Sequence, residues 1–494
     1  MDKGMKTPVR IEAVGSGRPI HYAASELARY LNQGFDLSCT AAGPGDVLVG
    51  PTVAIRDRPD RPAHGVADED LPPEDADVDA IFVDVTFSPD GPSGVVCGSN
   101  PRSTLIAVYR MLRELGFAWL HPGRSGERAP AEGAELPERV HIAERASYPH
   151  RGVCIEGAVS YEHVRDMIEW LPRAGMNAYF IQFREAYTFF DRWYRRYPED
   201  LVSVLPDRAP VQDRGSGERR PGGEFTADDA RSIVARVADD ISERGLFYHA
   251  VGHGWTCEPF GIPGLEWKEY TEPIPEDVRR YFAEIDGERA LWGGIPLNTN
   301  LCYSNAEVRR RIVEAIADYA AGNPEVTHLH FWLADGTNNN CECADCRKKR
   351  PSDFYAMMLN DVDEELTRRR LATKIVFLIY VDLLWPPEEV ALRDSDRFVL
   401  MFAPITRTYA RPFLGGADGG GAAAAADRAA GEDRAAGEDR AAGLGGAAGP
   451  LELPPFVRNE LEFPTSPEGN VAFLRAWQEI FTGDGFDFDY HLMW

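Results

Sequence analysis

The sequence predicts an α/β fold. A small N-terminal α/β sandwich domain occupies residues 1–145, and a (β/α)8-type TIM barrel, lacking its last β/α unit, occupies residues 146–494. Three observations predict it. From Pro149 onward, apolar runs of strand length alternate with segments of helical period, the signature of a parallel sheet with helical crossovers. Those runs are almost continuously apolar, as strands covered on both faces are. No Gly-rich phosphate turn follows any of them, which argues against an open dinucleotide-binding sheet.

In the N-terminal part, Val9–Val14 reads as a strand, and Ala24, Leu27 and Leu31 mark one face of a helix. Val47–Val49, Ile81–Val85 and Gly94–Gly98 read as further strands, with the Pro/Asp-rich residues 57–78 as a surface loop. Ser103 is the expected N-cap of a helix that buries Leu105, Val108, Leu112 and Leu115 before Gly116 ends it. Nothing in this part has catalytic spacing.

In the second part the strands are Gly152–Glu156, Ala178–Phe183, Phe247–Val251, His328–Leu333, Ile375–Tyr380, Phe398–Phe402 and a final one around Phe486–Tyr490. The intervening helices carry apolar stripes at Val164/Ile168/Leu171, Ile233/Val237/Ile241, Val308/Ile312/Ile316, Phe354/Met358/Val362/Leu366 and Val471/Leu474/Trp477/Ile480. A closed barrel continues with an eighth strand and helix, so the sequence predicts a barrel short of that unit. Residues 415–449 are low-complexity, with Glu-Asp-Arg-Ala-Ala-Gly in tandem, and read as a disordered insertion outside the fold.

The chain has 53 basic and 79 acidic residues, a net charge of −26, which disfavours nucleic acid or an anionic membrane surface as partner. No run is long and apolar enough for a membrane span, and the first residues lack a signal-peptide h-region, so a cytoplasmic location is expected. Eight cysteines in this length do not make a disulfide scaffold.

The densest chemical signal is His328–Cys346, an apolar strand running into a polar, cysteine-rich loop. Barrel active sites lie at the carboxyl ends of the strands. That rule selects Arg184 and Glu185, His253, Trp255 and Glu258, Asp335 and Asn339, Tyr380 and Asp382, Arg407 and Tyr409, and Asp487, Asp489, Tyr490 and His491. Carboxylates, aromatics and arginines together suit a carbohydrate: aromatic faces stack on its C–H surface, and carboxylates share acid–base work on a glycosidic bond. Asp335 is the first catalytic candidate, with Asp489 and then Asp382 as its partner; partial burial at the strand end would raise the Asp335 pKa towards that of an acid. Arg184 or Arg407 would hold a sugar carboxylate through paired hydrogen bonds. Asp-Gly is also a common turn pair, and strand-end carboxylates often only cap turns. Cys341, Cys343 and Cys346 supply three thiolates of a candidate structural zinc site, with Cys257 as the expected fourth and Cys302 or His253 as alternatives; free thiols and a redox pair are the competing readings. His328 and His330 read as packing residues. No cofactor is expected for catalysis. A sugar-binding barrel without activity and a metal-dependent hydrolase are the alternative functions, and oligomeric state is not legible.

Several segments resemble known enzymes. Gly98–Gly123, followed by Ala129-Pro130, resembles the end of the small α/β domain that precedes the barrel in α-glucuronidases and β-hexosaminidases, and Tyr148–Gly152 resembles the entry to their first barrel strand. Asp335-Gly336 with Cys341-x-Cys343-x-x-Cys346, Ser352-Asp-x-Tyr355, Asn360, Tyr380, Pro386-Pro387 and Phe402-Ala-Pro404 resembles a bacterial domain-of-unknown-function family related to those enzymes. The resemblance implies a glycoside hydrolase architecture with a non-catalytic N-terminal domain. The Asp-Glu pair of the β-hexosaminidases is replaced here by Asp335-Gly336, so their catalytic Glu is missing.

Overall fold

The computed structural model describes residues 8–15, 17–42, 51–56, 72, 74–206, 211–212, 219–220, 224–413 and 453–490. The strand expected at Val47–Val49, most of the 57–78 loop, the 415–449 insertion and His491 lie outside the described residues. The fold is mixed α/β. It comprises two compact units: Met1–Gly254 with Gly264–Glu266 and Asn323–Leu329, and Trp255–Pro263 with Trp267–Gly322 and His330–Trp494. The predicted boundary at residue 145 falls inside the first unit.

The first unit begins with β1 (Pro8–Val14), α1 (Arg18–Gly34), β2 (Ser38–Ala42), β3 (Thr52–Arg56), β4 (Ala80–Ser88), β5 (Gly91–Gly98), α2 (Pro101–Glu114), the two-residue strands β6 (Ala118–Trp119) and β7 (Glu127–Arg128), and β8 (Arg139–Arg145). One sheet runs in the order β2-β1-β3-β5-β4-β8. Its β2, β1, β3 and β5 are parallel, while β4 is antiparallel to both β5 and β8. The apolar stripes of α1 (Ile20, Leu27, Leu31) and α2 (Leu105, Val108, Leu112) bury with Ile11, Val53, Val83 and Val96 in one core. The cap of α2 is Asn100, not Ser103. Pro101 fixes the first helical residue, Asn100 accepts from the Ser103 N–H at 2.8 Å, and the Ser103 hydroxyl pairs with the Asn100 N–H, a reciprocal box one turn earlier than expected. Gly98 admits this turn because a Cβ there would lie 2.6 Å from the Thr104 nitrogen.

The same unit continues with β9 (Gly152–Cys154), α3 (Tyr161–Arg173), β10 (Ala178–Gln182), α4 (Tyr187–Tyr194), α5 (Pro198–Val204), the short β11 (Val211–Gln212) and β12 (Arg219–Arg220), α6 (Ala227–Glu243) and β13 (Phe247–Gly252). Strands β9, β10 and β13 are parallel neighbours. A buried carboxylate joins them to the first sheet. Asp79, just before β4 and 2% exposed, accepts from Arg102 of α2 at 3.0 Å, Arg151 ahead of β9 at 2.6 Å, and Asn177 ahead of β10 at 2.9 Å. Burial pushes its pKa up, but the two guanidinium groups win and hold it below the ordinary range. Glu26 of α1 plays a similar part, accepting from Tyr109 of α2 at 2.6 Å and from Arg173 of α3 at 3.4 Å.

The second unit carries the short α7 (Glu276–Arg279), β14 (Glu284–Ile285) and β15 (Glu288–Arg289), then α8 (Ala306–Gly322). The strand β16 (His328–Phe331) enters it, followed by α9 (Pro351–Arg369), β17 (Lys374–Ile379), β18 (Phe398–Phe402), α10 (Pro467–Gln478) and β19 (Asp484–Asp487). Strands β17, β18 and β19 are parallel neighbours. Here two predicted stripes are buried: Val308, Ile312 and Ile316 on α8, and Phe354, Met358, Val362 and Leu366 on α9. By contrast, α10 buries Asn470, Phe473 and Trp477 and leaves Val471 and Leu474 half-buried, with Ile480 beyond it exposed, so its inward face is rotated from the predicted one. Tyr355 of α9 donates its hydroxyl to the Phe331 carbonyl and accepts from the Leu378 N–H, stitching β16 and β17 to the helix.

Breaking the Asp79 node leaves two arginines facing a dry void, so Asp79→Ala should cost about 3–5 kcal/mol in urea unfolding. Because the folded pKa is depressed, the wild-type advantage should be full above the unfolded value of 3.8 and fade as pH falls through the folded one.

Candidate active site

Backbone strain marks the carboxyl ends of the parallel strands. Phe183, immediately after β10, has φ 72°, and Val251 in β13 has φ 68°. In the second unit Asn338, in the loop after β16, has φ 51°, and Val381, two residues after β17, has φ 41°. A left-handed conformation costs a bulky or β-branched residue about 1–3 kcal/mol and persists only where the surroundings impose it.

In the first unit these bends place Arg184, Glu185 and His253. The Arg184 N–H donates to the His253 carbonyl at 3.3 Å. Arg184 is half-buried, Glu185 accepts from Arg231 at 2.9 Å, and His253 is buried with its ring 5.2 Å from that of Phe183.

In the second unit Asp335 is half-buried just beyond β16. Its backbone N–H donates to the Leu297 carbonyl at 2.9 Å, which leaves the carboxylate turned to two aromatic donors. The Trp267 indole N–H reaches it at 2.8 Å, and the Tyr380 hydroxyl bonds it as well. Burial first, and then Asp335, push the Tyr380 pKa far up, so this phenol keeps its proton. Gly336 is required by close approach rather than by a left-handed turn: a Cβ would lie 2.4 Å from the Asn298 carbonyl oxygen and 2.3 Å from the Asn339 amide.

Beyond Gly336 the loop is held by Asp382. This carboxylate accepts the Asn338 N–H at 3.0 Å and the Asn340 amide at 2.8 Å. It is 5% exposed, and burial pushes its pKa up to about 6 against the pull of those donors. Asp489 is bound differently. It accepts from Arg407 at 2.6 and 3.2 Å, and from the Tyr409 hydroxyl at 2.5 Å. Burial raises its pKa, but Arg407 and Tyr409 outweigh burial and hold it low.

Three sequence-based expectations need correction. Trp255 is fully buried and donates its indole N–H to the His330 carbonyl at 2.9 Å, so it is core and offers no face to a sugar. Asn339 is fully buried, with its amide spent on Asn298 and Asn300. Arg407 already grips Asp489 and lies over the rings of Tyr409 and Phe413, so its fork is not open to a sugar carboxylate. Tyr490 is half-buried, its N–H donating to the Tyr409 hydroxyl at 2.9 Å; Glu258 starts a short 3-10 turn, and Asp487 is exposed. Sequence reasoning missed Trp267, which lies far from any strand end and carried no motif.

The cysteine loop gathers a different fourth thiol. Cys302, Cys341, Cys343 and Cys346 place their sulfurs within 4.8 Å of one another, a set able to hold a metal ion. Cys257 is not in that set; its carbonyl instead accepts from Phe260 and Ile262 in a local turn. Hydrogen bonds from Cys341 and Cys346 hold the Cys302 thiol far below its usual range, while Cys341 is pushed up to about 11 by Cys302. In the first unit His150, His249 and His328 also cluster, but His249 and His328 stack face to face at 4.4 Å and 5°. In-plane lone pairs on parallel stacked rings cannot meet at one ion, so this is packing. Burial and His150 push His249 down to about 3 and keep it neutral.

Residues 257–420 match the family model described as a domain of unknown function, DUF4838. The match holds Asp335, Asp382, Arg407 and all four clustered cysteines; Asp489 lies outside it. No curated protein matches. Among solved structures, the chain is similar to a GH138 enzyme targeting pectin rhamnogalacturonan II, at 10% identity and TM-score 0.39, covering 80% of this chain and 38% of that one. It is also similar to a family GH115 4-O-methyl-alpha-glucuronidase with specificity for decorated arabinogalactans, at 13% identity and TM-score 0.40, covering 81% and 45%. A family 89 glycoside hydrolase from Clostridium perfringens matches at 13% identity and TM-score 0.38, covering 68% and 36%. The chain thus spans less than half the length of each. No helix among the described residues is long and apolar enough to cross a membrane.

Gly336→Ala would drive a Cβ into the Asn298 carbonyl. A loss of about 1–3 kcal/mol is expected in chemical denaturation, with proteolytic sensitivity appearing first in residues 335–346.

Proposed function

We propose that this protein is a glycoside hydrolase, with Asp335 as the catalytic carboxylate and its strand–helix repeats those of a (β/α)8-type barrel. The observation that carries the reading is the Asp335 carboxylate itself. It stands half-buried at a strand's carboxyl end, oriented by an indole N–H and by a phenol that keeps its proton. Such a group is fixed in direction yet reachable, as an acid acting on a glycosidic oxygen must be. Asp489 is the proposed partner: held ionised by Arg407 and Tyr409, it suits the role of base or nucleophile. Asp382 is assigned to positioning, because both its oxygens serve the loop that carries Asp335. Tyr380 and Tyr490, of the same unit as Asp335, are assigned to substrate contact, with an oligosaccharide or uronic-acid-bearing glycan as substrate. The reaction needs no cofactor. A zinc ion on the cysteine cluster would be structural, since four thiolates leave no position open for water, and this disfavours a metal-dependent hydrolase.

A second reading has its own observation. The Asp382 and Asp489 carboxylates are both engaged inside the protein, which favours a barrel that binds sugar without cleaving it.

A screen of aryl glycosides and glucurono-oligosaccharides separates the two. Hydrolysis lowered about 10²–10⁴-fold in kcat by Asp335→Asn is the expected result. Binding by calorimetry without turnover, unchanged in Asp335→Asn, would establish the second reading instead.

A further inference from the structure

We propose that Cys302, Cys341, Cys343 and Cys346 bind one zinc ion in a closed four-thiolate site that clasps two separated stretches of the second unit, with a third hydrogen-bonded to the ligand loop. This deepens the structural-metal reading above and does not depend on the glycosidase reading.

The sulfur spacing fits. A tetrahedron with Zn–S bonds of about 2.3 Å has edges of roughly 3.8 Å. Cys302 lies 3.7 Å from Cys343 and 3.9 Å from Cys346, sulfur to sulfur, and none of the four is in a disulfide. Backbone donors already point at the sulfurs: the Glu284 N–H at Cys341 (3.3 Å) and the Ser304 N–H at Cys346 (3.4 Å). Thiolates need such donors. The charge closes too. Zinc with four thiolates carries two negative charges. Arg289 lies 4.0 Å from the Cys341 sulfur, and Arg458 donates to the carbonyls of Cys341 (3.2 Å) and Cys346 (2.7 Å), so two guanidinium groups offset it. Binding balances without a redox step: each thiol still protonated releases its proton to solvent, water leaves the zinc, and four Zn–S bonds form.

The clasp follows from where these residues sit. Cys302 precedes α8, Cys341–Cys346 belong to the Asp335 loop, and Arg458 belongs to the segment 453–463. That segment grips the loop again through Asn459, which accepts the Asn340 N–H at 2.8 Å, and through Leu461, paired both ways with Asn338.

The test uses the full chain, purified without a metal-affinity step and dialysed against a weak chelator. Elemental analysis should find one zinc per chain, and growth with cobalt should give the intense thiolate-to-cobalt absorption of a tetrahedral site. Cys302→Ser should lose nearly all the metal, and Cys257→Ser should keep it. Stripping the zinc should speed amide hydrogen exchange in 335–346 and 453–463 and leave β1–β5 unchanged. Substoichiometric metal, iron in place of zinc, or a Cys302→Ser variant that binds like wild type would overturn the site. Unchanged exchange after zinc removal would overturn the clasp. The wild-type stoichiometry and cobalt spectrum decide the matter even if Cys302→Ser misfolds. No readout uses a sugar, so a failed hydrolysis screen leaves the outcome untouched.

Discussion

A buried carboxylate, Asp382, sets the geometry of the loop that follows β16. It receives a backbone N–H from Asn338 and a side-chain amide from Asn340, so it fixes the loop at two points. The three consecutive asparagines then face three ways. Asn338 pairs with Leu461, Asn339 with Asn298 and Asn300, and the Asn340 backbone with Asn459. Hydrogen bonds to a charged group contribute about 1.5–3 kcal/mol each, and here they counter only part of the burial that pushes Asp382 up to about 6. Asp335 therefore sits on a loop whose freedom has been removed from several sides.

Much of this architecture was legible because its signals are local. Ile233, Val237 and Ile241 repeat at four residues and are all buried, as a helix covering a parallel strand requires. The polar ends of the strands were legible as positions but not as roles. An aromatic such as Trp255 reads as a sugar platform until its N–H is seen to satisfy the His330 carbonyl inside the core. Arg407 reads as a carboxylate clamp, and is one, but for Asp489 of its own chain. Such pairings span about eighty residues of sequence, and spacing carries no information about them. Cys302 was one of several candidate ligands for the same reason. The helices Tyr187–Tyr194 and Pro198–Val204 escaped notice because, at eight and seven residues, they are too short to repeat a helical period.

The strained residues extend the same lesson. Phe183, Val251 and Val381 occupy conformations that a glycine would adopt freely. A bulky side chain kept there is over-determined by its surroundings, and each lies beside polar residues at a strand end: Arg184, His253 and Asp382. The chain tolerates poor local backbone geometry where side-chain direction matters.

The flanks of the low-complexity stretch are stitched together. The Thr406 hydroxyl donates to the Pro464 carbonyl at 2.7 Å, the Thr408 N–H to the Thr465 carbonyl at 2.7 Å, and Arg411 pairs with Glu468. Residues 406–411 and 464–468 thus form one seam. Arg458 and Asn459 lie a few residues ahead of that seam, so one short run of chain is anchored twice, to the cysteine loop at its start and to the segment after β18 at its end.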